Sequence, residues 1–266
     1  MTGRELTRDA LVADLRALGL PEGERVLVHC SLRRVGRVAG GAATLLAALR
    51  ETLSSAGTIV VPAQTANNSL TSPAYRAATA GMTAAERARF RDTMPGFDPD
   101  TTPSYGVGVL AEQVRSQPGA LRSGHPQTSF AALGPAADEI VRDHDLRCHL
   151  GEQSPIGALY RSGAWILLLG AGMDKCTALH LAEYRLVPAN PIMQYACFVT
   201  ESGQRRLVKF DAPSLDDSDF GCAGPDLLRQ SRAVTGRVGT ATAHLIPLVP
   251  AVDRAQEWFT ANRHHS

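Results

Sequence analysis

The chain has no surplus of charge. Its 27 Lys and Arg stand against 26 Asp and Glu, a formal net charge of +1 over 266 residues. That balance, with no long run of one sign, excludes the basic stripe of a nucleic-acid binder. No apolar stretch approaches a membrane span. The start, MTGRELTRDALVADLRALGL, lacks the basic-then-apolar order of a signal peptide. It reads as an amphipathic helix with Leu11, Leu15 and Leu18 on one face and Gly19 as its stop. Cysteines are few and unpaired in pattern: Cys30, Cys148, Cys176, Cys197 and Cys222 are odd in number with no CxxC. This favours reduced thiols in the cytoplasm over a disulfide framework or a zinc cluster. There is no GxSxG elbow, P-loop or HExxH. Gly170-x-Gly172 lacks the third glycine of a dinucleotide fingerprint, since Lys175 stands there. His29, His125, His144 and His149 show no compact ligand spacing, so no metal is expected.

What is present is a globular α/β pattern, 44% hydrophobic. RVLVHC (25–30) reads as a buried strand, AATLLAALRETL (42–53) as a helix and GTIVVP (57–62) as a second buried strand. That is a βαβ unit and predicts parallel neighbours. Residues 63–108 are rich in Asn, Ser, Thr, Pro and Gly, with one short helix at 84–92; so long an insertion is usually functional. Helices follow near 108–116 and 136–142, separated by a loop, RSGHPQTSF (122–130). MQYACFVT (193–200) and RRLVKF (205–210) flank Ser202-Gly203, a hairpin signal. Residues 211–224 read as an acidic loop. A helix, a strand in TATAHLIPLV and a helix from Ala251 close the chain. With no repeat and no linker, one domain over 1–266 is expected.

The densest chemistry lies in WILLLGAGMDKCTALHLAEYR (165–185). A strand, Trp165 to Leu169, stops at a glycine turn, and a helix pattern with Thr177, His180 and Glu183 follows. His180 and Glu183 are three apart and share one helix face. An imidazole suits general-base work, and a carboxylate beside it fixes its tautomer and raises its basicity. The competing reading is a structural histidine, with Glu183 paired to Arg185 or Lys175 on a solvated face. Cys30, at a strand end before Ser31, is a candidate nucleophile with nothing in the sequence to lower its pKa. The acidic patch Asp216, Asp217, Asp219 has no glycine or distal Glu in calcium-loop register, and suits a cationic ligand or a solvated loop.

Four segments in series resemble the aminoglycoside 3-N-acetyltransferase family, acetyl-CoA-dependent enzymes of the antibiotic N-acetyltransferase fold. They are LVHCSLRRVG (27–36), FDPDTTPSYGVGVLAE (97–112), RSGHPQTSFAALGPAA (122–137), and GEQSPIGALY with LLLGAGMDKCTALHLAE (151–160 and 167–183). LDDSDFG (215–221) is similar to the family's acidic C-terminal segment. The resemblance implies a layered α/β/α fold with a mixed central sheet, and direct acetyl transfer from acetyl-CoA to an amine, without metal. It gives His180 the role of base and Glu183 that of orienting partner.

By the same resemblance coenzyme A is expected at Ser31, Leu32, Arg33, Val35, Gly36, Ser104, Arg122, His125, Ser129 and Phe130, with Arg33 or Arg34 and Arg122 meeting its phosphates. The acceptor is expected at Gln64, Asn67, Asn68, Tyr75, Glu152, Thr177, Asp216, Asp217 and Asp219. The chain departs from the family where its resistance enzymes often carry carboxylates: Asn67, Asn68, Ser69 and Leu70 stand there. The leading acceptor is the 3-amino group of the deoxystreptamine ring of an aminoglycoside. The alternatives are the same chemistry on another amine in natural-product biosynthesis, or a drug- or coenzyme-binding protein without turnover. A monomer or a homodimer is expected, with no nucleic-acid or membrane partner.

Overall fold

A computed structural model describes residues 5–263. Its main sheet has seven strands: β1 (Arg25–Cys30), β2 (Thr58–Pro62), β3 (Leu121–Arg122), β4 (Phe130–Leu133), β5 (Trp165–Leu169), β8 (Val234–Val238) and β9 (Ala241–Pro247). They run in the order β3-β4-β2-β1-β5-β9-β8. β1 is parallel to β2 and to β5, while β4, β3, β9 and β8 join antiparallel. The remaining strands, β6 (Ile192–Glu201) and β7 (Gln204–Pro213), form a separate hairpin.

Period-two alternation sorts the central strands between two apolar layers. Leu27, Val60, Ile166 and Leu168 face one layer, against Ile156, Leu159, Leu181, Phe220 and Phe259 of helices on that side. Val26, Val28, Ile59, Val61, Leu167 and Leu169 face the other, against Leu11, Leu15, Leu45, Leu49 and Val114. Strands buried on both faces read as continuous apolar runs, as RVLVHC and WILLL do. The result is a three-layer α/β/α sandwich with a mixed sheet. No helix among the described residues is long and apolar enough to cross a membrane.

Several elements differ from the sequence expectation. The end of the RSGHPQTSF loop enters β4, paired between β2 and β3. FAAL is too short and too alanine-rich to show a period. β8, VTGRV, is an edge strand interrupted by Gly236, and the helix Pro155–Arg161 is seven residues long, too short for a helical period to stand out. Of the stretch 211–224, only 214–219 is loop: β7 runs to Pro213 and the helix Phe220–Gln230 starts early, with Pro225 in its first turns. The final helix begins at Leu248, directly after β9. The 63–108 segment holds two helices, Pro73–Ala78 and Ala84–Thr93. It is laced to the β6–β7 hairpin by Leu70 N–H to Ala196 O (2.8 Å) and Phe97 N–H to Phe198 O (2.9 Å).

Candidate active site

The carboxyl ends of β1, β2 and β5 open into one cleft of about 880 Å³, reached by His29, Cys30, Pro62 and Gly170. A crevice beyond the ends of parallel strands is where α/β sheets bind ligands. Ser31, Leu32, Arg33, Arg34 and Gly36 line one wall, Gln64 and Gly106 to Val109 another, and Asp174, Lys175, Thr177, His180 and Asp217 the third. Glycine is required at the turn after β5. Gly170 has φ 62°, and a Cβ there would lie 2.8 Å from Arg34 Cβ. Arg34 locks the same turn by donating from Nη1 to Gly170 O at 2.8 Å.

The stretch after that turn is not one helix but two 3-10 turns, Met173–Lys175 and Thr177–Leu179, leading into a short helix, His180–Tyr184. Glu183 Oε2 accepts from His180 Nδ1 at 2.5 Å. The Glu183 side chain is 0% exposed and that of His180 12%. With Nδ1 held, Nε2 is the nitrogen left for a substrate, carrying the lone pair of a neutral ring. Glu183 has two further partners: Oε1 accepts from Arg263 Nη1 at 2.6 Å and from the Asp216 N–H at 3.0 Å. A buried carboxylate with hydrogen bonds on both oxygens and a guanidinium beside it meets the requirement for a buried charge.

His29 was given no place at the cleft by the sequence, and Cys30 was offered there as a candidate nucleophile. His29 Nε2 lies 3.3 Å from Thr177 Oγ1, and burial lowers the His29 pKa to about 4, so it is a neutral partner to that hydroxyl. Cys30 reaches the cleft, but burial raises its pKa to about 12, which leaves no thiolate for nucleophilic work. Among the described residues no group of three or more His, Cys, Asp or Glu is placed to hold a metal ion.

Of the residues expected at coenzyme A, Ser31, Leu32, Arg33 and Gly36 line the cleft. The others are engaged elsewhere. Val35 and Phe130 are core residues. Ser104 donates to Glu112 Oε2 at 2.7 Å. Ser129 donates to Ala63 O at 2.8 Å. The Arg122 guanidinium bonds Ser129 Oγ, Thr102 O and Ala63 O and lies over the Phe97 ring, so it ties the insertion to the sheet and has no fork free for a phosphate. Of the residues expected at the acceptor, Gln64, Thr177 and Asp217 line the cleft. Asn68 is internal, donating to Pro126 O and Phe198 O. The Asn67 side-chain oxygen is buried without a partner. Tyr75 packs near Phe90, and Glu152 is exposed and paired to Arg185. Asp216 accepts from the Ser218 N–H, and Asp219 from Arg263.

His125 sits in a buried cluster with the rings of His144 (4.7 Å) and His149 (4.6 Å), under Phe210 of the hairpin. The hydrogen bonds fix His125 as neutral and set the tautomer of a neutral His144. His125 Nδ1 accepts from the Gln127 and Thr128 N–H groups. His144 donates from Nε2 to His149 O, which leaves Nδ1 to accept from Ser123. Burial, then mutual repulsion, lowers His125 well below its ordinary value and His149 to about 3; burial lowers His144 to about 4. The unfolded chain binds protons on these rings below about pH 6.5 and the folded chain does not. Their contribution to stability is therefore complete above that pH and falls as pH drops toward 4. Urea unfolding is expected to show a lower midpoint at pH 5 than at pH 7, with a shallower drop in His144→Gln. Equal pH dependence in the variant would remove His144 from this role.

A sequence model described as aminoglycoside 3-N-acetyltransferase matches residues 27–260. The chain is 36% identical over 257 residues, 96% of its length and 93% of the relative's, to the aminoglycoside N(3')-acetyltransferase-like protein YokD of Bacillus subtilis. The solved structure of YokD superposes with a TM-score of 0.91 at 35% identity, covering 98% of this chain and 96% of that one. Aminoglycoside N(3)-acetyltransferase VIII of Streptomyces fradiae is 35% identical over 271 residues, 97% of this chain and 93% of the relative. A solved binary of AAC-IIIb with CoASH has a TM-score of 0.85 at 29% identity and covers 99% of each chain. A cleft at the ends of three parallel strands, a buried His–Glu pair at its wall and these matches over nearly the full length agree: the chain belongs to the aminoglycoside 3-N-acetyltransferase family.

Proposed function

We propose that the protein transfers the acetyl group of acetyl-CoA to the 3-amino group of an aminoglycoside, with His180 as general base. The observation that carries this is the buried Glu183 holding His180 Nδ1 while Nε2 is left for the cleft. An amine attacks a thioester only when neutral, so the nitrogen must lose a proton as the new bond forms. His180 Nε2 takes that proton as the C–N bond forms, and Glu183 stabilises the imidazolium. The C–S bond then breaks and the proton passes from His180 to the departing thiolate. The hydroxyl of Thr177, held by neutral His29, is positioned to donate to the oxyanion between the two steps. Arg33 and Lys175, cations at the cleft wall, are the groups that would meet the coenzyme phosphates, with Arg34 held by the β5 turn. The five free thiols, three of them buried, support a cytoplasmic, reducing setting.

Asp217 is the carboxylate of the 214–219 loop that reaches the cleft, which makes it the group to meet an ammonium of the acceptor. The expected result for Asp217→Asn is a rise in KM of about 10-fold or more for aminoglycosides, the size of one charge-assisted contact, with the acetyl-CoA KM unchanged. The reading itself is tested by thiol-detected coenzyme A release with kanamycin, gentamicin, neomycin and paromomycin. Turnover with at least one is expected; no turnover with any, while coenzyme A still binds, would reject the aminoglycoside acceptor.

A further inference from the structure

Arg263 follows the last turn of the C-terminal helix Leu248–Asn262, 80 residues from the pair it touches. Its guanidinium is in contact with three features at once. Nη1 donates to Glu183 Oε1 at 2.6 Å. Nε and Nη2 form a two-pronged pair with Asp219, to Oδ2 at 2.7 Å and Oδ1 at 2.5 Å. Nη2 also donates to Asp216 O at 2.7 Å. The guanidinium carbon lies 4.0 Å from the centroid of the Phe259 ring. Only 15% of the side chain is exposed.

We infer that Arg263 is a positioning residue for acetyl transfer: it holds Glu183 in the geometry that orients His180, and ties that pair to the loop presenting Asp217 to the acceptor. This rests on the reading of His180 as base. Glu183 Oε2 serves His180 and Oε1 is anchored by Arg263 and the Asp216 N–H, so the carboxylate cannot rotate without breaking bonds on both sides. The same guanidinium clamps Asp216 and Asp219, the residues on either side of Asp217 and Ser218. A lysine has no planar fork and could not serve both carboxylates and the carbonyl together.

The charge of Arg263 also limits how strongly Glu183 draws a proton to the imidazole. Around this pair stand Asp216, Asp217 and Asp219 from the loop, Tyr195 from β6, whose phenol is raised by burial and then by Glu183, and the neutral His149. Arg263 is the cation hydrogen-bonded to it. Removing that cation leaves Glu183 to favour the imidazolium more strongly.

The test compares the full-length protein with R263Q and R263K. The first readout is kcat and kcat/KM against pH for an aminoglycoside; the second is the ring nitrogen NMR titration of His180, which needs no turnover. R263Q is expected to lose kcat by about 10- to 100-fold, the scale of a misplaced catalytic group. Its acid limb and its His180 titration should move up, because the carboxylate facing the imidazole has then lost its cation. R263K should keep both near their wild-type position while losing kcat. Coenzyme A affinity should hold in both. Wild-type kcat in R263K overturns the inference, and so does an R263Q whose His180 titration stays in place. If R263Q does not fold, R263K alone decides through kcat. If the unmodified protein acetylates no aminoglycoside, the proposed acceptor fails while the NMR titration still judges Arg263.

Discussion

His180→Ala is expected to lower kcat by about 10²- to 10⁴-fold, the usual contribution of a positioned general base. Coenzyme A affinity should stay within a few fold, about 1 kcal/mol or less on the binding scale. The cause is local. His180 is largely buried, its Nδ1 is taken by Glu183, and its ring lies 4.8 Å from that of Phe220. Truncation leaves the strand ends and the Ser31 to Gly36 wall untouched, so the cleft survives while the proton acceptor is gone. Steady-state kinetics with isothermal titration of coenzyme A separates the two effects. A variant that turns over at near the wild-type rate would remove His180 from the base role. A variant that loses coenzyme A binding together with turnover would make the histidine a structural wall of the cleft. The outcome also separates an enzyme from a protein that only sequesters its ligands, because binding alone has no use for a base.

Glu183→Gln is expected to have an effect of comparable size, a loss of kcat on the order of 10³- to 10⁴-fold, the scale seen when a triad carboxylate becomes an amide. The size follows from the tautomer. The carboxylate accepts from Nδ1–H, which leaves a lone pair on Nε2. An amide NH2 turned toward Nδ1 donates instead, so the proton moves to Nε2 and no lone pair faces the amine. The other orientation keeps the tautomer but points NH2 at the Arg263 guanidinium and the Asp216 N–H, donors facing a donor. Both arrangements cost stability as well, because Arg263 loses a charged partner in a buried site. Breaking one side of such a pair is worth about 3–5 kcal/mol when a charge is stranded, and less here because Asp219 remains. Thermal unfolding beside kinetics at several pH values checks both parts. A Glu183→Gln enzyme within tenfold of wild type would show that the carboxylate does not set the tautomer.

The His180–Glu183 pair was legible because its signal is local: three residues apart on one helical turn, just after a strand and a glycine turn. The parallel strands were legible for a similar reason, since RVLVHC and WILLL are buried on both faces and show unbroken apolar runs. Non-local partners were not legible. Arg263 is 80 residues from Glu183 and nothing around it in sequence marks it. His29 and Thr177 meet only because β1 and β5 are neighbours in the sheet. The RSGHPQTSF segment shows the opposite failure. Its polar side chains suggest a ligand loop, yet Arg122, Ser129 and His125 satisfy buried backbone groups where the insertion meets the hairpin. A polar residue in a motif has the same letter whether it binds a ligand or replaces the hydrogen bonds of a buried loop. Only the partners, which sequence does not give, tell the two apart.

The most direct test of the account is to follow a labelled acetyl group. The protein is incubated with acetyl-CoA carrying ¹³C at the carbonyl and with gentamicin or kanamycin, and the product is read by NMR beside thiol release. The account predicts one new amide, at the 3-amino group of the deoxystreptamine ring, formed in step with free coenzyme A and lost in His180→Ala. Thiol release without an amide, or an amide on a different nitrogen, would contradict it.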